Sequence, residues 1–315
     1  MNKENQIIIC PGSINPDFVI KCDKSFVLAN KTMTFHGEST VFAGGKGRNQ
    51  AVAAKKASGK SISVILVGKV GDDALGTQAI KTLKKEKVIT DYISKSKKKE
   101  TGKAIISLFK GGYEIVGLDL GANTDLSILD VDKAKNEIAK SKILACQIEN
   151  TKETTAYSLK LAKKHDCFTV LNPSIVPNDK TFLKKNVFPY VDLMVLNVQE
   201  AGQIVGKNLK SEKDVIYAGK KICSLNIKYV VLTRGESGSI VFHKSKQEFV
   251  KAFKVKVVDT VAVGDNFIGA LIARIVDFID NFDFELLVKG VKFATAAAAL
   301  TVGKKGASES SPTRF

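Results

Sequence analysis

Apolar and polar positions alternate along this chain with two different periods. Short β-branched runs at Ile62–Val67, Ile143–Ile148, Phe168–Leu171, Leu193–Leu196, Tyr229–Thr233 and Ser239–Phe242 predict strands, and Ile7-Ile8-Ile9-Cys10 is strand-like as well. Between them, Gln50–Ala57, Gly76–Glu86, Asp132–Ala139, Thr154–His165 and Ser211–Ser224 have helical composition and length. This rhythm predicts an α/β fold: a three-layer, Rossmann-like, mostly parallel sheet with helices on both faces. Such sheets collect ligands outside the carboxyl ends of their strands.

Two segments break the rhythm. Asp17–Val41 and Ala104–Leu118 hold strand-like pieces (Phe18–Lys21, Thr32–Phe35, Ala104–Phe109, Tyr113–Leu118) with no helix between them. They are expected to pair as a small antiparallel β lid, from about 17–41 and 104–118, on a single α/β domain spanning 1–315. No internal repeat breaks up the chain.

With 315 residues and 34.1 kDa the chain is long enough to bury one large core. No run approaches the eighteen or so apolar residues of a membrane span. The opening Met1-Asn2-Lys3-Glu4-Asn5-Gln6 has no apolar signal core, and Cys10, Cys22, Cys146, Cys167 and Cys223 lack metal-ligand spacing. A cytoplasmic protein with reduced thiols and no membrane partner is expected. The net charge of +17 raises the question of nucleic acid, but the lysines lie in runs such as Lys95-Ser96-Lys97-Lys98-Lys99, without interleaved aromatics and with no Trp in the chain. A Lys-rich background or steering of an anionic substrate is expected instead of nucleic-acid binding.

The most informative stretch is Asp259-Thr260-Val261-Ala262-Val263-Gly264-Asp265, which opens a helix patterned by Phe267, Leu271 and Ile275. Amides at a helix start form a pocket for negative charge, and one carboxylate stands at its rim. That arrangement suits moving a phosphoryl group onto a hydroxyl, although an Asp at a helix start is also a common cap. Gly12-Ser13-Ile14-Asn15-Pro16-Asp17 follows a strand and supplies an amide and a carboxylate able to bracket vicinal hydroxyls. Ala43-Gly44-Gly45-Lys46-Gly47-Arg48-Asn49-Gln50 precedes a predicted helix, Ala51–Lys56, and offers bare backbone plus Lys46 and Asn49; it lacks the spacing of a P-loop. Asn197 and Glu200, three residues apart after a buried run, fit either a capped helix start or a pair organising the water shell of Mg2+. In Leu232-Thr233-Arg234-Gly235-Glu236-Ser237-Gly238, Thr233, Gly235 and Gly238 either touch phosphate oxygens or form a plain turn.

Taken together and in this order, these stretches resemble the ribokinase family of carbohydrate kinases. Its signatures are matched by Phe42–Ala54 and Val258–Phe267, supported by Val70-Gly71-Asp72-Asp73-Ala74-Leu75-Gly76, Gly121-Ala122-Asn123 and Leu171-Asn172-Pro173. The resemblance implies ATP-dependent phosphorylation of the 5-hydroxyl of D-ribose. It implies Asp265 as base, the amides of Ala262, Val263 and Gly264 as anion hole, and Asn15, Asp17, Gly45, Lys46, Asn49 and Glu149 around the sugar. Asn197, Thr233, Gly235 and Gly238 would serve the nucleotide and Glu200 Mg2+ through water. A monovalent cation, usually K+, would sit by Asp259, Val261 and the loop Gly303–Ser310, including Gly306 and Ser310. A homodimer through the lid sheet is implied as well. Val263, Asn266, Ile268, Glu309 and Arg48 depart from the family's usual residues, but Asp265 and the Asn197/Glu200 pair remain, so activity is expected. The competing readings are a kinase for another small sugar or a nucleoside, and a sugar-binding sensor with weakened catalysis.

Overall fold

The computed structural model describes residues 4–9, 11–26, 34–111, 113–304, 306 and 310–314. In chain order the strands are β1 (Glu4–Ile9), β2 (Asn15–Ser25), β3 (Gly37–Gly44), β4 (Ser63–Leu66), β5 (Gly68–Gly71), β6 (Ile93–Ser96), β7 (Lys103–Lys110), β8 (Glu114–Asp119), β9 (Ser141–Gln147), β10 (Phe168–Asn172), β11 (Leu193–Asn197), β12 (Tyr229–Thr233), β13 (Ser239–His243) and β14 (Lys246–Val250). The α-helices are α1 (Lys46–Ala57), α2 (Ala74–Lys85), α3 (Ile128–Lys133), α4 (Lys135–Lys140), α5 (Lys152–Lys164), the single turn α6 (Lys180–Phe182), α7 (Val198–Val205), α8 (Glu212–Cys223), α9 (Val263–Val276) and α10 (Phe284–Val302).

Eight strands form the main sheet in the order β14-β13-β12-β11-β10-β9-β1-β4. From β4 to β12 every pairing is parallel, and β13 and β14 close the far edge antiparallel. The strands are apolar on both faces because helices cover both. Ile7, Ile9, Val64, Leu66, Val195 and Val231 point into a core with α1, α9 and α10. Their neighbours Ile8, Ile65, Val67, Met194, Leu196 and Val230 point into a second core with α5, α7 and α8. A period of two along each strand thus serves two layers at once.

Strand order reverses at β1: the chain leaves it for β4 on one side and later returns to β9 on the other. The carboxyl end of β1 is therefore a topological switch point, where open α/β sheets bind ligands. The lid grows from this point, with order β3-β2-β7-β8. Its outer pairings, β2–β3 and β7–β8, are antiparallel, and its central pairing, β2–β7, is parallel.

The structure moves several expected boundaries. The second lid strand is Gly37–Gly44, not Thr32–Phe35; Phe35 is outside any strand, and Thr32 falls outside the described residues, as do Cys10 and Glu309. The strand was hidden in the sequence because five of its eight residues are solvent-exposed, leaving only the short Val41-Phe42-Ala43 run to read. The helix expected over Asp132–Ala139 is two short ones broken at Ala134. Among the described residues no helix is long and apolar enough to cross a membrane.

Candidate active site

Three elements bring the site together from the switch point outward. The turn after β1 leads into β2, where Asn15 and Asp17 occupy alternate positions and so share one face of the lid strand. Both are strand residues at the start of the lid. Asn123 accepts from the Ile14 N–H at 2.9 Å and donates to Asn15 Oδ1 at 2.7 Å, fixing the direction of the Asn15 amide. Gly44, directly beside Asp17, leaves room for the carboxylate: a Cβ there would stand 2.1 Å from Asp17 Oδ2.

The second element is α1, which begins at Lys46 and not at Ala51. Gly45 caps it at φ 92°, and a Cβ at Gly45 would lie 2.6 Å from the Asn15 backbone nitrogen, so both the positive φ and the close approach require glycine. Because the helix starts early, Lys46, Asn49 and Gln50 fall at i, i+3 and i+4 and share one face.

That face meets the third element, α9. Its first turn holds Val263, Gly264 and Asp265, preceded by Ala262 in the left-handed conformation at φ 56°. Asp265 does not cap its helix, contrary to the simpler sequence reading. Its buried carboxylate instead accepts from Gln50 Nε2 at 3.1 Å and Asn49 Nδ2 at 3.3 Å. No side chain caps α9, the Val263 N–H makes a long 3.5 Å bond to Thr260 O, and a Cβ on exposed Gly264 would meet nothing within 4 Å. A helix N-terminus with unclaimed amides, open space in front and a positive dipole end is suited to a phosphate group.

Charge among these residues is finely balanced. Burial, then Asp265 and Glu149, push the Asp17 carboxyl up to about 7, with Arg48 and Lys46 pulling the other way. Burial also raises Asp265, opposed by the Lys46 charge and by its bonds to Gln50 and Asn49. Lys46 is held above its ordinary value chiefly by Asp265. Asp17, Lys46, Glu149 and Asp265 thus act on one another as members of one cluster. Glu149, just past β9, is fixed by Ser13 Oγ at 2.6 Å and Ser174 Oγ at 2.9 Å.

Asn197 and Glu200 form a capping box on α7: the Glu200 N–H donates to Asn197 Oδ1 at 2.8 Å, and the Asn197 N–H to Glu200 Oε2 at 3.0 Å. Asn172 Nδ2 also reaches Glu200 Oε2, at 3.4 Å, and burial raises this carboxyl. Among the described residues no three His, Cys, Asp or Glu side chains cluster to grip a metal directly. A lone carboxylate of this kind fits a cation that keeps most of its waters. Thr233 and exposed Gly235 lie at the carboxyl end of β12, beside the Asn197 end of β11. Gly238 stands apart from them: it is buried, donates its N–H to Gly235 O at 3.0 Å, and a Cβ on it would meet Val250 O at 2.1 Å. It closes the turn between β12 and β13. Asp259 accepts from the N–H groups of Val261 at 3.0 Å and Gly306 at 3.1 Å, while Ser310 Oγ donates to Gly306 O at 2.9 Å. Asp259 and Val261, ahead of α9, and Gly306 and Ser310, beyond α10, are thus tied together by hydrogen bonds, and their oxygens are hard donors of the kind that suits an alkali ion.

This assembly is matched along almost its whole length by one known family: pfkB family carbohydrate kinase, over residues 5–314. The chain belongs to it. A ribokinase of Haemophilus influenzae is 31% identical to the kinase over 96% of this chain and 94% of its own length. The solved ribokinase of Giardia lamblia superposes with a TM-score of 0.89 at 25% identity, covering 98% of this chain and 96% of that one. An Arabidopsis thaliana ribokinase solved with ribose and ATP gives 0.84 at 25% identity, over 99% and 96% of the two chains. The fold and the sugar-kinase class of this enzyme agree with those relatives.

The sequence reading missed the residues behind the polar ones. Ser13 and Ser174 hold Glu149, Asn123 holds Asn15, and Gln50, with Gln147 behind it, holds Asp265. Polar residues at the carboxyl ends of otherwise apolar strands, as at Gln147 and Asn172, were the available signal.

Proposed function

We propose that this kinase transfers the γ-phosphoryl group of ATP to the 5-hydroxyl of D-ribose, giving ribose 5-phosphate. The observation that carries the reading is Asp265: a buried carboxylate in the first turn of an uncapped helix, facing the Lys46–Asn49–Gln50 face of α1. Asn15, Asp17 and Glu149 supply the hydrogen-bond acceptors that secondary hydroxyls need, with Lys46, Asn49 and the backbone at Gly45 beside them. Asp265 takes the proton of the attacking hydroxyl, and a loose phosphoryl transition state lets it do so late. The amides of Ala262, Val263 and Gly264 face the migrating charge, where preorganised donors act most strongly.

ATP complexed with Mg2+ supplies the phosphoryl group when bound. Asn197, Thr233, Gly235 and Gly238 would contact the nucleotide, and Glu200 would order water around the ion. K+ in the loop of Asp259, Val261, Gly306 and Ser310 would hold the α9 turn in position from behind. On this reading residues 1–315 act as one domain in the cytoplasm, with the lid built from about 17–41 and 104–118 standing over the sugar. Two copies would pair through the lid. Strand register puts Val41, Phe18, Ile105 and Ile115 on the face opposite Asp17, and Val41, Ile105 and Ile115 are 49–56% exposed there. An apolar patch of this kind favours burial in a partner.

The test is ADP release with ribose, fructose and adenosine as acceptors at matched concentrations. The proposal expects ribose to give the highest kcat/KM. A preference for fructose or adenosine would overturn the ribose assignment, and tight ribose binding without ADP formation would favour a sensor.

A further inference from the structure

Both oxygens of Asp265 are held by side-chain amides, and each amide has a donor behind it. Gln50 donates from Nε2 to Asp265 Oδ1, while its own Oε1 accepts from Gln147 Nε2 at 2.5 Å. Asn49 donates from Nδ2 to Asp265 Oδ2, while its Oδ1 accepts from Arg48 Nη1 at 3.3 Å. Gln50 and Gln147 are both fully buried, and Arg48 nearly so.

A terminal amide has nearly the same shape in its two flipped orientations, so packing alone does not choose between them. Turned round, Gln50 would aim the lone pairs of Oε1 at the Asp265 carboxylate. The Asp265 carboxylate, which can only accept, draws the Gln50 N–H group toward itself, and Gln147 Nε2 on Gln50 Oε1 reinforces that choice from behind, while Gln147 Oε1 itself has no hydrogen-bond partner among the described residues. We propose that Gln147 and Gln50 form a directional relay and that both are positioning residues of the phosphoryl-transfer site, presenting an N–H to Oδ1 so that the carboxylate stays fixed and ionised. This deepens the reading of Asp265 as the base and rests on it.

The need for such a device follows from the surroundings. Burial works against the charged form of Asp265, and three more carboxylates bear on it from separate elements: Glu149 beyond β9, Asp17 on β2 and Glu200 on α7. Lys46 on α1 opposes them, with Arg48 on the same helix acting on Asp17. Hydrogen bonds to the charged form of a carboxylate favour it. A base that must be ionised before the hydroxyl arrives therefore gains from an N–H that cannot turn away. Asn49 and Gln50 on α1, backed by the Arg48 guanidinium of the same helix and by Gln147 at the end of β9, supply it without adding negative charge around Asp265.

The experiment is a 13C NMR titration of aspartate carboxyls in the sugar-free protein, with the Asp265 signal assigned by its loss in Asp265→Asn. Methionine replaces either glutamine at similar size without its hydrogen bonds. Gln50→Met should move the Asp265 midpoint alkaline by about one pH unit, a tenfold change in the ratio of ionised to protonated carboxyl at a given pH. Gln147→Met should shift it in the same direction by a smaller amount. The deciding arm is the double variant: Gln147→Met should change nothing further once Gln50 is Met, because the relay has already been cut. Equal Gln147→Met shifts in both backgrounds, or an unmoved midpoint in correctly melting single variants, would overturn the relay. In kinetics, the acid limb of kcat should move with the midpoint, whereas an equal loss of rate at every pH would mark a merely structural role. If the wild type phosphorylates no acceptor, the base reading falls, and the carbon titration still decides the relay on its own.

Discussion

Gly269, one turn beyond Asp265, packs so closely on α1 that a Cβ there would lie 2.5 Å from Ala53 Cβ and 2.7 Å from Gln50 O. This contact sets the distance between the two helices that carry the base and its amide donors. It explains how a carboxylate on α9 meets Asn49 and Gln50, more than two hundred residues earlier in the chain.

The first prediction follows from that contact. Gly269→Val forces α1 and α9 apart, and overpacking of this kind typically costs about 1–3 kcal/mol. Turnover should fall more than stability alone explains, because Asp265 leaves its donors. Thermal melting together with kcat at a temperature where the variant is fully folded checks this. An unchanged kcat would show that the helix spacing does not position the base.

Asp17 gives a prediction in pH. Its folded pKa is raised from 3.8 to about 7, so the folded state binds the proton more tightly than the unfolded chain does. Stability is then greatest below the unfolded value and is lost as pH rises through about 7, by an amount on the order of a few kcal/mol. Asp17→Asn removes the group that loses stability. The variant should melt above the wild type at pH 8, with the gap narrowing towards pH 5, while sugar binding is lost. A gap independent of pH would contradict the burial argument. Hydroxyl donors favour the charged form, so sugar binding near pH 7 should also release protons, visible by calorimetry in buffers of different ionisation enthalpy.

Gly44 tests the sugar side without touching charge. Gly44→Ala puts a methyl group against the Asp17 carboxylate and displaces it. Sugar affinity should drop at least tenfold while ATP affinity stays within twofold, as read by titration calorimetry of each ligand. Equal losses for both would point to general unfolding of the lid.

The loop tied by Asp259 yields an ion prediction. Replacing K+ by Na+ or choline should slow turnover, and Asp259→Ala, which frees the N–H groups of Val261 and Gly306, should abolish the difference between salts. Equal wild-type rates in all three salts would remove the cation from that loop.

Much of this arrangement was legible before any coordinates. Strands buried on both faces read as plain β-branched runs, so β4, β9, β10, β11 and β12 fell within a residue or two of expectation. Asp265, Asp17, Lys46 and Asn49 announced themselves by residue type and glycine-rich company. What stayed hidden has physical causes. Helix α1 begins at Lys46 behind a Gly45 cap, and α9 at Val263 behind Ala262, so neither start carries the usual Ser, Thr, Asp or Asn signal at the cap. Strands β3 and β14 are largely exposed and lack alternation. Helix α10 is almost uniformly small and apolar near its end and shows no polar stripe. Gln50 and Gln147 are neutral amides whose role depends on which way they point, and no sequence pattern encodes that.

The most direct test of the whole account compares Asp265→Asn with the wild type in two readings made on the same samples: ribose-dependent ADP release, and ribose affinity by calorimetry. Loss of one general base costs on the order of 10²–10⁴-fold in rate. The account predicts that kcat falls by that order while ribose binds within severalfold of the wild type. A variant that keeps its rate, or one that loses the sugar as completely as the rate, would show that Asp265 is not the base at this helix end.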